Sequence, residues 1–222
     1  MIPGARLVLL GRQGAGKGTQ CVRLSRHYLV PHVSTGDILR AAVKEGTAFG
    51  RKAAEYMDAG ELLPDDIITG VVDERLERDD TRARGFILDG FPRTVVQAKS
   101  LEEITLPVGI DLTVNLEVAT DVVLQRLAGR RVCVDCGTNF STTTPPADDT
   151  FDVCGGRVVQ RADDTEASIR RRLEIYEQQT TPLIAWYRDR DQLVTVDGLG
   201  STDEVTDRLI HAIDRHKAAH RR

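Results

Sequence analysis

The sequence predicts an α/β fold in which one five-stranded parallel sheet carries helices on both faces and is interrupted by two excursions. Three observations predict it. Five short segments rich in Val, Ile or Leu, bounded by turn-forming residues, read as buried strands. Polar segments with helical spacing separate them, and strands alternating with helices imply βαβ units around a parallel sheet. The first strand also runs straight into a glycine-rich loop, which is how such sheets often open a ligand site.

Taken in order, the first strand is "RLVLLG" (6–11), followed by the loop "GRQGAGKGTQ" (Gly11 to Gln20). The second is "LVPHVS" (29–34), after which 34–63 forms a largely helical insert. Next comes a helix over "DDIITGVVDERLERD", with apolar positions at Ile67, Ile68, Val71, Val72 and Leu76. "GFILDG" (85–90) is the third strand, "IDLTVNLE" (110–117) the fourth and "QLVTVDG" (192–198) the fifth. Between the last two lies 131–164, rich in Thr, Pro and Asp, with no helical pattern and three of the four Cys.

The bulk composition narrows the function classes. A chain of 222 residues, 41% apolar and 29% charged, is a globular protein with one sizeable core. Its net charge of -4, with both signs well mixed, does not suggest a nucleic-acid partner. The longest clean apolar run, Leu7 to Leu10, is far too short for a membrane span or a signal-peptide core. Three Cys gathered in one segment suggest a reducing cytoplasm and a metal site rather than a disulfide framework. The basic, His-rich end "DRHKAAHRR" reads as a solvated helix terminus.

The glycine-rich loop has a chemical reading. Four Gly between Gly11 and Gly18 open backbone angles closed to other residues, so successive N–H groups can turn onto phosphate oxygens. The helix that follows directs its positive end at the same point, and Lys17 reaches the outer phosphates. Gly14, Ala15, Gly16, Lys17, Gly18 and Thr19 are the expected cradle. A strict Walker A pattern has Ser or Thr directly after the Lys; here Gly18 intervenes and the hydroxyl arrives at Thr19. Asp89, at the end of the third strand, is placed to organise the waters around Mg²⁺.

Three stretches in this order, "GAGKGTQ", "STGDILR" (34–40) and "DGFPRT" (89–94), resemble adenylate kinases closely, as does "QRADDTEASIRRRL" (160–173). The resemblance covers nearly the whole chain. It implies a P-loop three-layer core over 1–33, 64–130 and 165–222, a mobile AMP-binding domain at 34–63, and a lid at 131–164 that closes over ATP. It implies a monomer that moves the γ-phosphoryl group of ATP to AMP, reversibly and with Mg²⁺, giving two ADP. An acceptor phosphate is already a nucleophile at neutral pH, so such a site needs no general base, only positive charge and alignment. The resemblance assigns the transferring group to Lys17, Arg93, Arg130, Arg161 and Arg172. On the ATP side it adds Arg126, stacked on the adenine, with Phe140 and Gly200. On the AMP side it places Thr35, Arg40, Glu61, Leu62, Leu63, Gly90, Phe91, Pro92, Arg93 and Gln97, with Arg161 and Arg172. Asp163 and Asp164 are expected to cap the helix carrying Arg172, as a D-x-x-E box with Glu166, and to pin the lid arginines.

Some positions depart from the family pattern: Arg12-Gln13 in the loop, Phe140 where Tyr is common, and Pro64 in place of Thr. The stretch "CVDCGTNFSTTTPPADDTFDVCGG" (133–156) is similar to the zinc-bearing lids of one branch of the family, with Phe151 where the third Cys would fall. Two alternatives stay open for it. Cys133, Cys136 and Cys154 can hold structural Zn²⁺ with a carboxylate, Asp152 being nearest and Asp149 behind it, or the lid folds without metal. Two rival functions also fit part of the pattern. A UMP/CMP kinase usually carries Ala in place of Thr35 and a shorter lid. A P-loop regulator with a zinc-ribbon module would form no ADP.

Overall fold

A computed structural model of the chain describes residues 4–141, 154–161 and 164–220. Strand β1 (Ala5–Leu10) leads through the loop into α1 (Lys17–Tyr28) and then β2 (His32–Ser34). Helices α2 (Thr35–Glu45) and α3 (Ala48–Ala59) form the first excursion, followed by α4 (Asp65–Leu76), α5 (Asp79–Arg84) and β3 (Gly85–Asp89). Then come α6 (Val95–Ile104), β4 (Leu112–Glu117) and α7 (Thr120–Ala128). The second excursion holds β5 (Arg130–Cys133), β6 (Asn139–Ser141) and β7 (Val158–Val159). The chain ends with α8 (Glu166–Ile175), a π-helical turn (Tyr176–Thr180), α9 (Pro182–Arg188), β8 (Leu193–Asp197) and α10 (Thr202–Ala219).

The main sheet is parallel throughout, in the order β2-β3-β1-β4-β8. Successive side chains of β1 leave on opposite faces, so Leu7 and Leu9 join one core while Val8 and Leu10 join the other. The first core packs Leu24, Val114, Leu127, Leu209 and Ile213 beneath α1, α7 and α10. The second packs Val72, Leu88, Leu101, Leu183 and Tyr187 beneath α4, α6 and α9. Burial on both faces is why these strands are near-continuous apolar runs, and each fully buried Leu contributes about 1.5–3 kcal/mol.

The five strands expected from sequence are all present, most within two residues of the expected bounds, and the second is halved. Residues 29–31 are not strand: Leu29 caps α1 in the left-handed region (φ 55°) and is half exposed, and β2 begins only after Pro31. Pro31 has no N–H to give a ladder, although its carbonyl accepts from the Ile87 N–H. The expected D-x-x-E cap of α8 is also corrected. Its N-cap is Thr165, whose hydroxyl accepts from the Ser168 N–H, while Asp164 turns inward and Asp163 lies outside the described residues. In the second excursion the absence of a helical pattern corresponds to a three-stranded antiparallel sheet, β6-β5-β7, beginning at Arg130. Among the described residues no helix is long and apolar enough to cross a membrane.

The strand order positions the site. After β1 the chain builds β2 and β3 on one side of it and β4 and β8 on the other. The direction of winding therefore reverses at β1, and a crevice opens at its C-terminal end, where ligands bind in sheets of this kind.

Candidate active site

The loop leaving β1 folds into that crevice. Gly14 (φ 85°) and Gly16 (φ 102°) take left-handed angles that L side chains rarely adopt. A side chain at Gly14 would also strike Leu127 Cγ at 2.8 Å, since α7 packs directly on the loop. Gly16 caps α1 with no side-chain acceptor, so the positive end of a twelve-residue helix faces the crevice. Lys17 Nζ lies within the loop, donating to the carbonyls of Gly11 (2.7 Å) and Arg12 (3.1 Å). Burial lowers its pKa, and the nearby Asp89 carboxylate works against that. Burial alone would raise the Asp89 carboxyl, but His32, Lys17 and Arg93 together hold it below the usual carboxylate range.

Beyond β3 the chain turns through Gly90, whose φ is 86°; a Cβ there would lie 2.6 Å from Thr35 Oγ1 and 3.2 Å from Arg93 Nη2. That close approach keeps Thr35 beside the Arg93 guanidinium. Arg93 is held at three points: its Nε donates to Gly90 O (2.8 Å), its N–H to Gln97 Oε1 (2.7 Å), and its carbonyl accepts from Thr180 Oγ1 (3.0 Å). Gln97 is oriented in turn by Asp65, which accepts from Nε2 at 2.7 Å and from Thr94 Oγ1 at 3.1 Å. Arg40 Nη2 pairs with Asp37, one turn earlier on α2. Glu61 accepts from Arg171 Nε at 2.8 Å, joining the end of the first excursion to α8.

Four more arginines line the same crevice. Arg130 makes a two-point pair with Asp164, Nε to Oδ2 at 2.7 Å and Nη2 to Oδ1 at 2.5 Å. Asp164 is wholly buried, and Arg172 Nη1 stands 3.8 Å from the same carboxylate. Arg172 also donates to Ser168 Oγ at 2.9 Å, and Arg161 to Asn139 Oδ1 at 2.8 Å. Arg126 lies against the loop, donating to Ala15 O (3.1 Å) and Gly198 O (3.2 Å).

One cavity of about 840 Å³ joins all of this. It is lined by each of the expected nucleotide-site residues except Phe91, together with Asp89. Phe91, expected on the AMP side, is instead 1% exposed within the second core, because the turn after Gly90 directs its ring under the sheet. Desolvated cations converging on one cavity suit a polyanion, and arginine suits phosphate because its planar fork grips two oxygens and stays charged without water.

The comparisons with known proteins point the same way. The adenylate kinase family model matches residues 9–192. An adenylate kinase of Syntrophotalea carbinolica is 48% identical over 212 residues, covering 94% of this chain and 98% of its own. Those of Thermodesulfovibrio yellowstonii (47% over 216 residues, 95% and 99%) and Caldicellulosiruptor saccharolyticus (45% over 212 residues, 94% and 98%) are similar. The chain belongs to the adenylate kinase family. It is a phosphotransferase, carrying the ATP γ-phosphoryl group reversibly to AMP with Mg²⁺. ATP, AMP and ADP are its substrates and products.

The second excursion brings its three thiols together. The sulfurs of Cys133, Cys136 and Cys154 all lie within 4.8 Å of one another, Cys133 and Cys154 being 3.4 Å apart. The Thr138 hydroxyl and N–H pull Cys136 down to about 7. Cys154 rises to about 11: the Gly156 N–H favours its thiolate, but the neighbouring sulfurs outweigh it. Three soft donors at this spacing fit Zn²⁺. Phe151, Asp149 and Asp152 lie outside the described residues.

Several residues that shape this adenylate kinase site went unnoticed in the sequence: Asp65, which orients Gln97; Thr180, which holds the Arg93 backbone; and Ser168, which holds Arg172. The sequence carried one local signal, the acid and hydroxyl residues Asp164, Thr165, Glu166 and Ser168 around the start of α8.

Proposed function

We propose that the chain carries out the family reaction through a division of the cavity into two phosphate stations and a shared transfer point. The loop from Gly14 to Thr19, with Arg126, Phe140 and Gly200, takes ATP. Thr35, Arg40, Glu61 to Leu63, Gly90, Pro92 and Gln97 take AMP, the Phe91 ring serving only to pack the turn that presents them. Lys17, Arg93, Arg130, Arg161 and Arg172 surround the transferring phosphoryl group, and Asp89 orders the Mg²⁺ waters. The observation that carries this reading is the convergence of Lys17, Arg93, Arg130 and Arg172 on one cavity at the switch point of the sheet. Segments 34–63 and 131–164 act as the AMP-binding domain and the lid, closing to exclude water and bring Arg130 and Arg161 onto the phosphates. The protein works as a cytoplasmic monomer in nucleotide homeostasis. In a panel of acceptors with ATP and Mg²⁺, AMP should give the fastest ADP formation, well ahead of CMP, UMP and GMP. Equal or faster turnover of UMP or CMP would overturn the AMP station.

The lid thiols support a second part of the proposal. Cys133, Cys136 and Cys154 would hold structural Zn²⁺, with Asp152 as fourth ligand. The metal would supply cross-linking to a small sheet with little apolar area, and these residues do no chemistry on phosphate. Protein purified without chelator should contain one zinc per chain. Chelation should then make three thiols reactive and lower the melting midpoint. Substoichiometric zinc with all three thiols already reactive in the folded protein would reject the site.

A further inference from the structure

We propose that Cys21, His32 and Asp89 form a second cation site, selective for a thiophilic divalent ion such as Zn²⁺, beneath the floor of the nucleotide cavity. Three elements converge there. Cys21 lies on α1 one turn after Lys17, on the same helix face and wholly buried. His32 opens β2, and Asp89 closes the neighbouring β3. Their sulfur, nitrogen and oxygen atoms all lie within 4.8 Å of one another.

Two features favour a ligand over mere packing. The His32 Nε2 atom is buried with no hydrogen-bond partner among the described residues, a costly state for a polar nitrogen. It stands 3.8 Å from Asp89 Oδ2. Metal–ligand bonds of about 2.0–2.3 Å place the donor atoms of a tetrahedron about 3.5 Å apart, so imidazole and carboxylate are already near the required spacing. The thiol lies within 4.8 Å of both and must close in to join them. One N, one S and one O donor with a fourth position open is a set that Zn²⁺ accepts and Mg²⁺, which takes oxygen ligands, does not. On binding, the Cys21 S–H bond breaks, sulfur bonds to the cation and the proton passes to solvent; no electrons change hands. Thiolate and carboxylate then balance the two positive charges.

Neither Cys21 nor His32 lines the nucleotide cavity, whereas Asp89 does. Occupancy would therefore withdraw Asp89 from Mg²⁺ and inhibit transfer, a consequence that rests on the proposed role of Asp89. The test titrates Co²⁺, as a spectroscopic stand-in, into the nucleotide-free full chain and follows thiolate-to-cobalt absorbance. Zn²⁺ inhibition of ADP formation is measured in parallel. Parent protein is compared with Cys21→Ala, which lines no part of the nucleotide cavity, and with His32→Asn, which is read by its cobalt titration because His32 stands beside Asp89. Losing an outer-shell partner already weakens metal sites by about 10–100-fold, so losing a ligand should weaken one cobalt component by at least that much. Cys21→Ala should keep its basal activity, and both variants should need correspondingly more free Zn²⁺ for half-inhibition relative to their own uninhibited rates. Cobalt titrations that superimpose on the parent's, assigning all thiolate absorbance to the lid thiols, would overturn the site. Unchanged Zn²⁺ inhibition in both variants would overturn its link to Asp89. A parent that shows the cobalt component but forms no ADP would sink the proposed function while leaving the site standing.

Discussion

Replacing Lys17 or Arg93 by Met lowers turnover by about 10²–10³-fold, the usual cost of removing one preorganised donor from a charge-stabilising site. In the proposed division of the cavity both cations face the transferring phosphoryl group, and water cannot replace them once the cavity closes. The fold should survive both changes. The backbone of Arg93 is held through its own N–H and carbonyl, by Gln97 and Thr180, and Met keeps both contacts. Lys17 gives up two hydrogen bonds to loop carbonyls, but its ammonium is buried at a cost that Met does not carry. Steady-state rates beside thermal melting check this expectation. A loss of about tenfold or less in both variants with unchanged melting would show that neither residue reaches the transferring group.

The main sheet was legible because its strands are buried on both faces, so that Leu7 to Leu10 and Phe86 to Leu88 are unbroken apolar runs. The phosphate loop was legible because Gly14, Gly16 and Lys17 answer one local chemical demand. What stayed hidden depends on approach through space. Asp65 meets Gln97 across 32 positions and Thr180 meets Arg93 across 87, and neither pair has a spacing that marks it. Thr180 also belongs to a π-helical turn, which no apolar period announces and which often marks functional positions. The cap of α8 was misplaced because the run from Asp163 to Thr165 offers three consecutive capping residues, and a buried demand from Arg130 drew Asp164 away. The burial of the Phe91 ring was hidden for a related reason: a motif names its positions without saying which side chains face the ligand and which face the core.

That buried demand makes Asp164 the residue whose loss the nucleotide-free protein should feel most. Its carboxylate is the meeting point of Arg130 from β5, Arg172 from α8 and, through a 3.4 Å bond, Gln13 from the phosphate loop. Asp164→Ala removes the buried carboxylate that these two guanidinium groups, each 15% exposed, share. Breaking a buried pair by removing one partner costs about 3–5 kcal/mol, which for a chain of this length lowers the melting midpoint by about 6–20 °C. If the same arginines grip phosphate during transfer, a bound polyanion can stand in for the missing carboxylate. A bisubstrate analogue should therefore raise the melting midpoint of Asp164→Ala by more than it raises that of the parent. Asp164→Asn, which retains an oxygen acceptor but no charge, should fall between the two. Equal ligand-induced shifts in parent and Asp164→Ala would mean that Arg130 and Arg172 do not exchange Asp164 for phosphate, and that Asp164 only ties β5 to α8.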